Sequence, residues 1–463
     1  MKKVKTSLIG CYAFAYPKDI MQKRIDNARK ALEAEGIEVN FCGYFSDHDE
    51  KSIREVKEKL DNTSFDSSSI TLVVAAWIES PPVFRVLANH KHMPILMWTI
   101  AGYRTENPEE GLISPGPCAG STGLNFSFME FGYKHYALYD IVDNPSRVKE
   151  AADFIKFADA LKKLRNTRIC SVGYSDMNLY PLMYNGNTIM KYTGVHVDNI
   201  DFHDVWLEMQ KVSDKEAEDF IRDFKTKVCF ENQPSQRDFE ILAKTYLAIN
   251  KIVEEKDYKG ITLKCIYGMS RTMNFSPCMI QSLLADRIDT ICECDVYGLL
   301  NLVIIRALTG KIGVFQEFME FYKNSFLTAI CGFAPFSLCD ENCVKVQGHA
   351  WGEAGGIMNV SKLKQGRITL SRLYEVKGEM HMHCVTGNSK LPERWQEDGW
   401  ENHQGPNYPS MEIVLDTDLK DFQKYIAGQH YIVSYGDNLE IFERYCNFTG
   451  IKFNKHKEID FKY

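Results

Sequence analysis

Two acids stand two positions apart in Thr290-Ile291-Cys292-Glu293-Cys294-Asp295-Val296-Tyr297-Gly298, an otherwise apolar run that leads into a long hydrophobic helix. Read as a strand over Asp289 to Cys294, the run puts Glu293 and Asp295 on one side and Cys292 and Cys294 on the other, because strand side chains alternate with period two. An ionised carboxylate in apolar surroundings needs a proton, a hydrogen bond, a base or a cation. Asp295 is also placed to cap the helix Val296 to Leu308, which closes at Gly310. A cap uses one acid, and this run supplies two. Glu293 is therefore expected to meet a divalent metal.

Two more segments share the construction of a buried strand with a polar side chain at its end. In Lys311-Ile312-Gly313-Val314-Phe315-Gln316-Glu317-Phe318-Met319 a short apolar strand ends at Glu317. In Gly428-Gln429-His430-Tyr431-Ile432-Val433-Ser434-Tyr435-Gly436-Asp437, His430 opens a strand, and an amphipathic helix from Leu439 to Phe448 follows and closes at Gly450. Two carboxylates and one imidazole make an octahedral site suited to Mn²⁺, or to another divalent cation such as Mg²⁺ or Co²⁺, with positions left for water or substrate oxygens. Thiolates are not needed, and the scattered cysteines, Cys331, Cys339 and Cys343 among them, read as reduced core residues.

These pieces, in this order, resemble the L-fucose/L-arabinose isomerase superfamily. The likeness rests on Cys292-Glu293-x-Asp295-Val296-Tyr297-Gly298, the helix end Leu308-Thr309-Gly310, Gly332-Phe333-Ala334-Pro335-Phe336-Ser337-Leu338, and Gly428-x-His430 with Tyr435-Gly436-Asp437. It covers roughly the last 200 residues well and the rest mainly by architecture. The resemblance implies that Glu293, Glu317 and His430 ligate the metal and that the two glutamates are also the catalytic proton-transfer pair. It further implies two α/β domains followed by a β-rich domain, and a homohexamer or trimer-based oligomer with sites at subunit interfaces. The chain departs from the family at Glu317, where aspartate is common, and at Ile330, where a histidine is often found. Lys264-Cys265-Ile266-Tyr267-Gly268-Met269 also lacks the usual Trp-Pro-Glu. The expected metal core is retained while the substrate wall is altered, which is compatible with a hexose, a deoxyhexose or a modified sugar such as sulfoquinovose.

The expected reaction is aldose–ketose interconversion, in which a proton moves between C1 and C2 and a cation stabilises a cis-enediolate. A sugar-binding or sensor protein is the rival from another class, since two α/β domains in tandem also build binding proteins. A metal-dependent epimerase or lyase shares the enediolate.

Candidate substrate contacts are Trp77 and Trp98 at the carboxyl ends of two strands, with core packing an equal alternative, Tyr267 in the altered segment, and His349 in the glycine-rich turn Gly348-His349-Ala350-Trp351-Gly352, where a plain loop role is preferred. His381 and His383 share a strand face like metal ligands but lack a third partner. Arg85 and Arg104 suit an anionic substituent, with surface ion pairing the plainer use.

The elements that must position these residues follow from periodicity. Strand-length apolar runs at Val4 to Gly10, Thr71 to Ala76 and Met93 to Trp98 alternate with helical stretches such as Ile20 to Gly36, the pattern of a parallel sheet covered by helices. A charged helix from Pro145 to Arg165 precedes a second such alternation that begins at Arg168. Beyond Lys311 short strands dominate, as in Gly366 to Leu370 and Glu379 to Val385. Trp395 to Pro409 reads as a long loop. The expected architecture is two tandem Rossmann-like parallel-sheet domains, 1–165 and 166–310, and a β-rich, barrel-like domain, 311–463.

At 463 residues with 44% hydrophobic and 25% charged content the composition is that of a soluble globular protein. A net charge of −7 without a basic run argues against nucleic acid as a partner. No apolar stretch reaches membrane-spanning length, and the opening Met1-Lys2-Lys3 lacks a convincing secretory pattern. A cytoplasmic enzyme acting on a small molecule is expected.

Overall fold

The computed structural model describes residues 3–104, 111–340, 342–348, 354–392 and 408–455. The chain forms two compact units, Met1–Lys163 and Leu164–Tyr463. Among the described residues no helix is long and apolar enough to cross a membrane.

In the first unit five parallel strands lie in the order Glu38–Ser46, Lys5–Tyr12, Ser69–Val74, Ile95–Thr99 and His135–Tyr139. Numbered along the chain this is 2-1-3-4-5, a doubly wound sheet whose strand order reverses between the first and third strands. Ser69–Val74 and Ile95–Thr99 are buried along their whole length, as strands covered on both faces must be. Helix Lys18–Ala34 turns Met21, Ile25, Ala28 and Leu32 inward at helical spacing. A Cβ on Gly10 would fall 2.6 Å from Ile25, so this helix lies against its strand only because position 10 has no side chain.

The second unit joins another parallel sheet to a barrel. Four parallel strands run in the order Asp289–Cys292, Gly260–Leu263, Arg168–Val172 and His196–Ile200, again doubly wound. Six antiparallel strands, Gly366–Val376, His430–Tyr435, Gly313–Phe321, Phe326–Ala329, Ser410–Leu415 and Glu379–Lys390, close into a barrel as the last pairs back onto the first. Helix Val296–Thr309 is buried without interruption from Val296 to Ile305 and packs against strands of both the parallel sheet and the barrel. A helix apolar on every side needs cover on every side, which ties the second sheet and the barrel into one unit. The α/β class with a closed β-barrel agrees with the sequence expectation.

Two sequence expectations change, and one doubtful pair resolves. The strand expected to reach Cys294 ends at Cys292, because Glu293 and Cys294 both take left-handed backbone, with φ of 62° and 54°. The cysteines are not all thiols: Cys229 and Cys343 form a disulfide, brought together by parallel pairing of Val228 with Val344. His381 and His383 belong to packing, with His383 bonded to the Tyr431 hydroxyl at 2.7 Å and stacked on Phe422, and His381 stacked on Tyr374.

Candidate metal centre

Glu293 enters the site from a tight turn. It leaves the carboxyl end of the strand Asp289–Cys292 in a conformation that L-residues seldom adopt, and consecutive left-handed residues without glycine mark a backbone held by its surroundings. The turn ends the strand alternation, yet both acids reach the same imidazole, Glu293 on the Nε2 side of His430 and Asp295 on the Nδ1 side. Glu293 points toward the barrel, and Asp295 caps the helix by accepting the Gly298 N–H at 2.9 Å.

Glu317 and His430 come from the barrel. They are direct cross-strand partners in the antiparallel pairing of Gly313–Phe321 with His430–Tyr435, and neighbouring side chains on one sheet face sit about 5 Å apart. His430 Nε2 lies 2.9 Å from Glu317 Oε1 and 3.5 Å from Glu293 Oε2. One donor atom from each of Glu293, Glu317 and His430 falls within 4.8 Å of the others.

His430 is aimed from behind. Its Nδ1 lies 2.8 Å from Asp295 Oδ2, and the same carboxylate oxygen accepts a hydrogen bond from Arg372 Nη1. Asp295, Arg372 and His430 are all fully buried. A carboxylate on one ring nitrogen fixes tautomer and orientation, leaving the other nitrogen to face the site. The expected cap at Asp295 is therefore half of its role. Arg372, which the sequence reading passed over, had a visible signal as an arginine inside the apolar strand run Ile368-Thr369-Leu370-Ser371-Arg372-Leu373.

The electrostatics are those of a site built for a positive charge. Burial raises the pKa of Glu293, and the neighbouring Glu317 adds to the rise while His430 opposes it. Burial disfavours a charged His430, yet the surrounding acids Asp295, Glu293 and Glu317 outweigh this and lift it well above the ordinary imidazole value. Burial also works against ionised Asp295, but Arg372 and His430 prevail and hold it below the usual carboxylate range. Glu293 Oε2 is buried with no hydrogen-bond partner. A bare buried carboxylate oxygen beside a second carboxylate and an imidazole fits a hard or borderline divalent cation.

Around this centre, the strand Gly260–Leu263 lies between Asp289–Cys292 and Arg168–Val172, with Leu263 in register with Cys292 and Val172. Lys264 thus follows the strand next to the one that delivers Glu293. Its stem lies where a Cβ on Gly173 would fall, 2.7 Å away, and Gly173 also has φ of 99°. The turn Cys265–Ser270 is fastened by buried Asp176, which accepts the N–H groups of Ile266 at 2.7 Å and Tyr267 at 2.8 Å. The turn leaves Tyr267 partly exposed, with the Arg271 guanidinium 3.6 Å from its ring centroid.

The remaining candidates fall elsewhere. Trp98 is fully buried in the first unit's sheet, its indole N–H bonded to Asp140 at 3.1 Å, so of its two readings core packing is the one the fold realises. Trp77, just past the end of Ser69–Val74, is 42% exposed in the same unit. Arg85 pairs with Glu50 and Arg104 with Asp143 at the surface. His349 lies outside the described residues, as does the run from Trp395 up to Tyr408.

No family model matches the chain. Sulfoquinovose isomerases of Priestia aryabhattai and Priestia megaterium (strain ATCC 12872 / QMB1551) are each 22% identical to it over 290 residues, 60% of this chain and 62% of theirs. The chain therefore spans less than two thirds of the length of these relatives. Among solved structures, a sugar-binding protein of a sugar ABC transporter from Bacillus halodurans is similar at 10% identity and a TM-score of 0.17, covering 66% of this chain and 88% of its own. An ABC transporter solute-binding protein from Agrobacterium vitis bound with alpha-D-tagatopyranose is similar at 13% identity and a TM-score of 0.18, covering 67% and 90%. Scores this low do not establish a common fold.

Proposed function

We propose that the chain is a metal-dependent aldose–ketose isomerase acting on a monosaccharide, with Glu293, Glu317 and His430 as ligands of a divalent cation, Mn²⁺ first among candidates. The observation that carries this reading is the convergence of those three side chains to within 4.8 Å, with one buried glutamate oxygen left bare. The similarity to the Priestia sulfoquinovose isomerases supports the reaction class. When bound, the cation supplies Lewis-acid stabilisation of the negative charge that develops on the sugar oxygens. The protein's own groups do the rest. One of Glu293 and Glu317 takes the proton from the carbon beside the carbonyl and returns it to its neighbour, and the other serves the oxygens. His430 is kept in one orientation by Asp295 and Arg372, so that Nε2 stays on the site.

The substrate favoured is an acidic sugar. Lys264 and Arg271 flank the turn Cys265–Ser270, which carries Tyr267 and follows the strand paired with the one that delivers Glu293, and a lysine and an arginine suit a sulfonate or phosphate substituent. The assembly proposed is a homo-oligomer, a hexamer or trimer-based, in which each centre is completed at a subunit interface. Its mass in solution is measured by analytical ultracentrifugation. For the activity, protein stripped of metal and resupplied with Mn²⁺ is incubated with sulfoquinovose, fucose, arabinose and glucose in D₂O and followed by NMR. Ketose formation that requires the metal is the expected result. A stripped protein that isomerises at the full rate, or a loaded one inert on every sugar, defeats the reading.

A further inference from the structure

The first unit carries a second group of ligating side chains at the carboxyl edge of its sheet. Asp47 and His48 directly follow the strand Glu38–Ser46, and Glu79 lies on the segment that leaves Ser69–Val74. A carboxylate oxygen of Asp47, a ring nitrogen of His48 and a carboxylate oxygen of Glu79 lie within 4.8 Å of one another.

Asp47 makes this more than a cluster of acids. It is fully buried, and its Oδ1 accepts the Phe14 N–H at 2.6 Å, while Oδ2 is buried with no hydrogen-bond partner. Burying a carboxylate oxygen without a donor is unfavourable, and a cation would satisfy it. His48 is held toward the group in two ways. Its backbone is left-handed, with φ of 63°, and the Phe14 ring meets its imidazole edge-on at 4.9 Å. His48 Nε2 stands 3.6 Å from Glu79 Oε1, too far for a hydrogen bond. The ligands stand on the loops after the second and third strands, with Phe14 contributed by the loop after the first strand between them, next to the point where the sheet's order reverses and where doubly wound sheets bind ligands.

We propose that Asp47, His48 and Glu79 form a second divalent-metal site, one that takes zinc or a similar first-row transition ion. One imidazole and two carboxylates favour such an ion over magnesium, which prefers oxygen alone. Zinc–donor bonds of about 2.0–2.2 Å place tetrahedral donors about 3.4 Å apart, a spacing that side-chain rotation of exposed His48 and half-buried Glu79 would reach. His48 is exposed and Glu79 half-buried, so the group opens to solvent on one side and an ion bound there would keep an open coordination position.

The full-length chain is freed of metal with a chelator, titrated with Zn²⁺ by calorimetry, and its bound zinc counted by mass spectrometry. Two ions are expected per wild-type chain and one in His48→Ala and in Glu79→Gln, with the ion retained by either variant lost when His430→Ala is added. His48 is exposed and Glu79 only half-buried, with no helix-capping hydrogen bond to lose, so thermal midpoints close to that of the wild type are expected of both variants. A wild-type chain with no zinc, one with a single zinc that His430→Ala alone removes, or variants still holding two overturns the site. A single zinc lost in His48→Ala and indifferent to His430→Ala upholds it while defeating the centre at Glu293.

Discussion

Asp295 Oδ2 holds His430 Nδ1 at 2.8 Å across 135 residues of sequence, so a helix cap on the parallel sheet's side sets the angle of an imidazole on the barrel. The pair links the turn that carries Glu293 to the strand pairing that carries Glu317. The consequences are measurable.

Glu293→Gln keeps the side-chain volume and removes the charge. Loss of a proton-transfer group costs about 10²–10⁴ in rate, so kcat falls by at least about a hundredfold. The thermal midpoint stays level or rises, because burial opposes the charged form of this residue. Near-normal turnover by a folded Glu293→Gln protein would remove Glu293 from the chemistry.

Asp295→Asn separates the two roles of Asp295. Asparagine caps a helix as well as aspartate does, but it cannot hold His430 as a carboxylate does. Mn²⁺ affinity should fall about 10- to 100-fold, the usual cost of losing a group that orients a metal-binding histidine, while the helical circular-dichroism signal is unchanged. Unaltered affinity would reduce Asp295 to a cap.

Arg372→Met leaves Asp295 buried without its guanidinium. Breaking a buried ion pair from one side costs about 3–5 kcal/mol, which denaturant unfolding will register. Arg372 is fully buried, so solvent does not compensate. A change below about 1 kcal/mol would mean that the pair carries little of the load.

The pH dependence has a defined sign. In the metal-free protein the three acids overcome burial and hold His430 protonated well above its ordinary pKa of about 6.5. This stabilisation is complete below that ordinary value and is lost as pH rises through the higher folded one. Metal ligation needs the neutral imidazole, so Mn²⁺ affinity should climb with pH until the folded pKa is passed. Asp295 contributes in the opposite sense: its depressed pKa stabilises the fold above the usual carboxylate value, and that share is lost as pH falls through the folded one. Calorimetric Mn²⁺ titrations between pH 6 and pH 8 that gave a flat affinity would contradict the first part.

Lys264→Gln and Arg271→Gln should raise KM for an acidic sugar about tenfold each and leave kcat within about twofold, since uniform binding is lost and the reacting groups are untouched. An equal effect on an uncharged sugar would show that neither residue reads a negative charge.

Local features were legible in the chain. The helix after Asp295 begins at its cap, and both it and the helix before Gly450 end at left-handed glycines, because caps are satisfied by backbone groups within a few positions. Glu293, Glu317 and His430 stood out because polar residues at the ends of apolar strands need partners. The partners themselves were not legible. Strand pairing sets Glu317 opposite His430, barrel closure brings Arg372 to Asp295, and parallel register brings Cys229 to Cys343, all contacts between distant residues. Two left-handed residues without glycine ended a strand that its apolar pattern would have prolonged, and full burial of Trp98 decided between its two readings in favour of core. The sequence alone determined which groups could not remain unpaired and where helices start and stop, since both depend on the nature of a residue and its near neighbours. Tertiary structure decided which groups meet, because that depends on register and closure, which no short stretch of chain encodes.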